Sequence, residues 1–321
     1  MSNTEQAPDQ VACGASRFTG VLHPREVPLG GPRAIRVRRT LPQRERSLIG
    51  AWCFIDHYGP HDVRSSAGMD VPPHPHTGLQ TVSWLFSGEI EHRDSAGVHA
   101  TVRPGELNLM SAGAGICHSE VSDARSPILH GVQLWVALPA ADRNSGRDFV
   151  HYAPHVRHVG GVRTRVFIGE LDGAHSPVPT YTPLLGAQLD LAPGATIELP
   201  VDPAFEHGVL LDQGDIHAGE EAGGTVLGIA DLWYQSPGHD TVALANRGDR
   251  PARVLLLGGP PFGEELVMWW NFVARSHQEI VQYRQEWQDH DERFGAVAGY
   301  PGARLPAPPL PTTTLLPRPN P

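Results

Sequence analysis

Cysteine is scarce in this chain: its 321 residues include only Cys13, Cys53 and Cys117, an odd number with no CxxC spacing. That pattern supports neither a disulfide framework nor a cysteine zinc site, and a reducing cytoplasm is the expected compartment. Basic charge is short as well, with 25 Lys and Arg against 35 Asp and Glu for a formal charge of -10. No basic stripe is present to neutralise a phosphate backbone, so direct nucleic-acid binding is not expected. The one cationic run, Pro32–Arg46, alternates its charges with Ile35, Val37 and Leu41, as an exposed strand face does. Long apolar runs are also missing. No window approaches the roughly 18 residues of a membrane span, and the opening MSNTEQAPDQ lacks the charged and apolar regions of a signal peptide. The expectation is a chain with no membrane contact and no readable export signal.

Glycine and proline are plentiful, at 35 and 31 residues, and 40% of the chain is hydrophobic. Such a composition favours many turns and short strands over long helices, and the length allows two domains. Short alternating runs recur between turn formers: LQTVSWLFSG, VHATVRPGE, LNLMSAGAG and ILHGVQLWVAL, then a second block with AQLDLAPGATIELPV, HGVLLDQGDI, LWYQSPG and DTVALANRGDRPARVLLLGG. Period-2 strands at this spacing predict an all-β chain of two tandem β domains, each a sandwich or barrel. The turn-rich stretch Leu138–His155 loses the alternation and is the best linker. Near the end, Ser276 and Glu279 have capping-box spacing ahead of Ile280, Tyr283, Arg284 and Trp287, which predicts one core-packed helix over His277–His290. The boundaries that follow are a flexible N-terminus 1–15, a first domain 16–145, a linker 146–160, a second domain with the helix 161–295, and a proline-rich tail 296–321 read as an extension.

Two residue pairs carry the chemistry. In an extended chain positions i and i+2 share a side, so His74 and His76 of HPH present their imidazoles together, and Pro75 holds His74 away from the helical region. Farther on, a glycine-rich bend leads into CHSE, where His118 and Glu120 form a second same-face pair and Cys117 falls on the opposite face as a small packed residue. One HxH among 18 histidines is a weak signal. Two such pairs, several strands apart, are what a β-barrel needs to gather four ligands in its interior. Three neutral imidazoles and a carboxylate suit Fe(II), and also Mn, Ni, Cu or Zn, and a six-coordinate metal held this way keeps two positions open.

HPHTGLQTVSWLFSGEIEHRDS followed by PGELNLMSAGAGICHSE resembles the pirin family, a branch of the cupins, and the similarity runs from about Arg17 to Phe294. The resemblance implies two tandem cupin (jelly-roll) β-barrels with a metal, usually iron, in the N-terminal one, and ligands at His74, His76, His118 and Glu120. One departure from the general cupin pattern is Gln80, where the first motif commonly carries a glutamate; Gln80 is then a supporting or core residue. His92 reads as an exposed hairpin histidine in preference to one lining the pocket mouth, His57 and His61 as structural, and Trp84, Phe86, Leu107 and Leu109 as candidates for lining the pocket. Between Leu184 and Gly259 the second barrel offers only His207, His217 and His239 with no paired spacing, so no metal is expected there.

Two functions follow as expectations. The favoured one is a quercetinase-type dioxygenase with Fe(II), acting with dioxygen on a small flavonol, enol or catechol-like aromatic, with Glu120 as ligand or catalytic base. One alternative is a non-catalytic regulatory protein whose metal or redox state alters a surface for a protein partner, and another is a metal-stabilised barrel with no turnover. The chain is expected to act as a monomer.

Overall fold

A computed structural model describes residues 20–29, 35–66, 68–219, 223–318 and 320. The N-terminus expected at 1–15, and Cys13 with it, lies outside these residues. The strand Leu79–Ser87 shows how the alternation becomes structure. Val82 and Trp84 on one face enter a large apolar layer, while Ser83 on the other turns into the first barrel and meets Glu120. The strand sits in a seven-stranded sheet with the spatial order 148–152, 107–111, 79–87, 128–137, 52–62, 36–41, 25–28. A four-stranded sheet of 70–76, 116–122, 90–94 and 99–102 completes this barrel.

The second half repeats the plan. Its seven-stranded sheet runs 20–22, 232–235, 206–213, 252–259, 185–191, 162–168, 157–159, with a four-stranded sheet of 196–200, 241–246, 216–218 and 225–226. The protein is thus two tandem jelly-roll barrels with a C-terminal helix. The two large sheets face each other across one apolar layer in which Ile55, Trp84 and Leu134 pack against Phe167, Leu210 and Leu257. Trp84 stacks on Phe167 at a centroid distance of 4.5 Å and donates its indole N–H to Gln188 at 2.8 Å. This layer takes up Trp84, Leu107 and Leu109, and Phe86 packs against it, so the residues considered for the pocket belong to the barrel–barrel contact.

Three expectations of organisation need correction. The stretch 146–160 is not an open linker: Asp148–Tyr152 pairs with Leu107–Ser111 in the first barrel, and Arg157–Val159 pairs with Val162–Ile168 in the second. The edges of both sheets are completed by chain that local pattern assigned elsewhere, and Gly20–Leu22 likewise joins the second barrel beside Leu232–Gln235. The helix, His277–Gln288, is capped by Ser276, whose side chain accepts from the Glu279 N–H, and buries Ile280, Tyr283 and Trp287. It docks with Cys117 of the first barrel in one apolar cluster, and Arg143 binds Glu279 at 2.6 and 2.8 Å. The proline-rich tail is anchored at separate points rather than free: Leu305 donates to the Pro73 carbonyl at 2.9 Å, Arg318 to that of Leu266 at 2.8 Å, and Ala307 and Leu315 are buried, while Leu316 is exposed. Proline-rich chain cannot join a ladder throughout, but it can lie extended over an apolar surface. Among the described residues no helix is long and apolar enough to cross a membrane.

Candidate metal centre

Antiparallel register brings the two sequence pairs together. Asp70–His76 pairs with Ile116–Ser122 so that His118 lies opposite His74 and Ile116 opposite His76; a register shift between His118 and Glu120 sets Glu120 opposite Val71. The bend before this strand needs its glycine: Gly113 has φ +51°, and a Cβ there would sit 1.9 Å from the Ser145 carbonyl oxygen. Its own carbonyl accepts from Gly78 N–H at 2.9 Å, tying the bend to the end of the HPH strand.

The three imidazoles are fully buried and converge, with ring centroids 4.4 Å apart for His74 and His118, 4.9 Å for His76 and His118, and 5.1 Å for His74 and His76. Their ligand atoms lie within 4.8 Å of one another, and those of His92, His118 and Glu120 do likewise. His74 Nδ1 donates to the Pro72 carbonyl at 2.9 Å and His76 Nδ1 to that of Asn271 at 3.2 Å. Because a carbonyl only accepts, each proton sits on Nδ1 and each Nε2 presents a lone pair. The Nε2 of His74 has no hydrogen-bond partner, and the Nε2 of His76 faces the Nε2 of His118 at 3.0 Å. Burial holds all three well below the ordinary histidine range, which keeps the rings neutral. Convergent lone pairs on neutral buried rings, beside a buried carboxylate, fit a divalent transition metal and leave little else that would satisfy them.

Glu120 is held by Ser83, whose hydroxyl lies 3.2 Å from Oε1 and 2.9 Å from the Gln133 amide oxygen. Asn108, opposite Ser83 in the next strand, has neither amide atom bonded, and the Gln133 amide nitrogen and Tyr58 hydroxyl are also without partners. This polar interior offers hydrogen bonds to water or to a substrate. Gln80 points away from it and donates to the Ser111 hydroxyl at 2.8 Å. Cys117 falls on the far face, where burial raises its thiol to about 11.

Of the two readings of His92, the exposed hairpin residue is corrected: the side chain lies inside the barrel beside His118. It is 3% exposed, its Nδ1 is 3.4 Å from the Nδ1 of His118, and its Nε2 is 3.0 Å from Asp94. Its two-residue offset from Asp94, the same offset as in HPH and HSE, was the available signal. His61 is a surface residue whose Nε2 donates to the Arg36 carbonyl at 3.2 Å. His57 is buried between the barrels, where its Nε2 is 2.7 Å from Asp212; His130 Nε2 reaches the same oxygen at 2.7 Å.

A histidine- and carboxylate-lined barrel in tandem with a second barrel defines a bicupin. The pirin family model matches residues 34–136, and the pirin C-terminal cupin domain model matches 186–295. A Pseudomonas aeruginosa protein, provisionally named a quercetin 2,3-dioxygenase, is 42% identical over 97% of this chain and 98% of its own length. A pirin-like protein of Caulobacter vibrioides is 36% identical over 78% of this chain and 88% of its own. The crystal structure of an Acinetobacter baumannii quercetin 2,3-dioxygenase superposes with a TM-score of 0.85 at 38% identity, covering 91% of this chain and 96% of that one. The chain belongs to the pirin family.

Proposed function

We propose that the protein is a metal-dependent oxygenase of the quercetin 2,3-dioxygenase type, using Fe(II) held by His74, His76, His118 and Glu120 and acting on a flavonol or related enol or catechol. The observation that carries this reading is the convergence of imidazole lone pairs whose far nitrogens are occupied, next to Glu120. The names of the Pseudomonas and Acinetobacter relatives support the reaction class. A divalent metal bound there would acidify a substrate hydroxyl and let electron density pass from it to dioxygen.

The chain's own groups do the rest. Glu120 would take the hydroxyl proton if released as a ligand, and its contact with Ser83 supports either role. Asn108, Gln133 and Tyr58 supply unbonded polar atoms for hydroxyl groups of the aromatic ring. Full burial of the three histidines excludes bulk water from the reacting atoms. The second barrel acts as packing partner through its apolar contact with the first.

Oxygen uptake with quercetin, measured on iron-loaded wild type and His118→Ala, tests the proposal. Uptake that requires both metal and His118 is expected. Stoichiometric metal with no uptake over a broad flavonol and catechol panel would contradict the enzyme and favour a regulatory metal protein.

A further inference from the structure

The three histidines differ in what holds the nitrogen turned away from the centre. His74 and His76 each use a backbone carbonyl, that of Pro72 and of Asn271. His118 has a side chain there instead: its Nδ1 faces His92 Nδ1 at 3.4 Å, at the long end of hydrogen-bonding distance. The register explains the placement. Ile90–Asp94 pairs with Ile116–Ser122 so that His118 lies opposite Asp94 and Glu120 opposite His92. Positions two apart share a face, so all four side chains enter the barrel together.

The protons along this row can be assigned in one direction. Asp94 is anchored by its Oδ1, which accepts from the backbone N–H of Ala96 at 2.9 Å and of Val98 at 3.1 Å in the following turn. A carboxylate so held is an acceptor, and its Oδ2 lies 3.0 Å from His92 Nε2, which therefore carries a proton. With Nε2 turned to Asp94, the Nε2–H tautomer of His92 offers a lone pair at Nδ1, and His118 answers with its own Nδ1–H, leaving its Nε2 lone pair toward His76. The Phe149 ring packs on His92 at 4.9 Å and restricts its rotation. His92 and Asp94 are each 3% exposed, so water competes little for these bonds.

We propose that Asp94 and His92 form a side-chain relay that fixes His118 in its Nδ1–H tautomer, aims its Nε2 at the metal and strengthens its electron donation. Both are positioning residues; neither touches the reacting atoms. The proposal rests on the reading of this site as a metal centre. Groups that bond the far nitrogen of a ligating histidine orient the ring and raise its basicity, and losing one typically costs about 10- to 100-fold in metal affinity. His118 is the one histidine of the three whose support is a side chain ending in an anion, so it is the ligand through which substitution can tune the centre.

The test is anaerobic Fe(II) binding, by chelator competition, to the full-length protein and three variants, with the Fe(III)/Fe(II) potential as second readout. Asp94→Asn keeps the turn acceptor but presents an N–H to His92, which moves the His92 proton to Nδ1 and sets it against the His118 proton. His92→Phe keeps a ring and removes the acceptor. His92→Asn returns an oxygen near the place of Nδ1. Affinity is expected to fall about 10- to 100-fold in Asp94→Asn and His92→Phe, with recovery in His92→Asn and a higher potential in Asp94→Asn. Thermal unfolding of the metal-free proteins confirms folding, and Asp94→Asn, nearly isosteric, serves if His92→Phe misfolds. Wild-type affinity and potential in folded Asp94→Asn would overturn the relay, as would equal losses in His92→Phe and His92→Asn. Failure of the wild type to bind iron would instead remove the metal centre itself.

Discussion

His76 and His118 meet Nε2 to Nε2 at 3.0 Å, and the far nitrogen of His76 is already bonded to the Asn271 carbonyl. Two imidazole lone pairs at that distance repel unless a cation lies between or beside them. Protonating one ring would relieve the repulsion, but burial opposes a charge on either. A bound metal relieves it without charging a ring.

Metal should therefore stabilise the fold. With free metal about 100-fold above its dissociation constant, mass action adds about 2.7 kcal/mol. Chelation is expected to lower the midpoint of thermal unfolding in the wild type and to leave His74→Ala almost unchanged. Equal shifts in both would place the stabilising metal elsewhere.

The metal-free protein should be acid-sensitive well above carboxylate range. His57, His74, His76 and His118 are all depressed by burial, so below about pH 6.5 the unfolded chain takes up protons that the folded chain refuses. Stability is full above that pH and falls as pH drops through it toward the folded values. Urea unfolding at pH 7.5, 6.5 and 5.5 should show a progressive loss; a flat profile would contradict neutral buried rings.

Asp212 joins the barrels. Burial pushes its carboxyl up, but contacts from His130 and His57 outweigh this and bring it down to about 2. Arg38 donates to His57 Nδ1 at 2.9 Å, so the His57 proton sits on Nε2, facing Asp212. Asp212→Asn removes the charge from a fully buried cluster, and about 3–5 kcal/mol of stability should go with it. Chemical denaturation measures this, and a cost below about 1 kcal/mol, the range of surface pairs, would show that the cluster does not hold the barrels together.

Trp84 fills the layer between the large sheets and is fully buried. Trp84→Ala should cost about 3–5 kcal/mol, while Trp84→Phe, which keeps a ring against Phe167 but loses the Gln188 bond, should cost less. The same unfolding assay ranks them, and equal costs would mean that ring packing contributes little.

Gly113→Val tests the bend that delivers His118. A Cβ would collide with the Ser145 carbonyl, and φ +51° is poorly tolerated by a β-branched residue. Reduced metal content together with reduced stability is expected. Full metal content in a destabilised variant would separate the bend from the site.

Local spacing made the candidate ligand pairs legible, because HPH and HSE each place two side chains on one strand face without reference to the rest of the fold. The Ser276 cap and the period of Ile280, Tyr283 and Trp287 marked the helix for the same reason. What escaped depends on contacts between distant segments. The His92–Asp94 offset marks a same-face pair, but nothing within that strand shows that His118 lies across from Asp94. Asp212 meets His57 from 155 positions away, and no periodicity encodes that. Asp148–Tyr152 loses apolar alternation because it is an edge strand with part-exposed faces, so its local pattern resembles a linker. The tail, too polar and proline-rich for a strand, packs by filling a surface rather than by joining a ladder.

The central claim is that His74, His76, His118 and Glu120 hold one metal ion. Elemental analysis of the purified, iron-reconstituted protein, paired with His76→Ala/His118→Ala, tests it most directly. The account predicts one metal per chain in the wild type and almost none in the folded double variant. Equal metal in both proteins would contradict it.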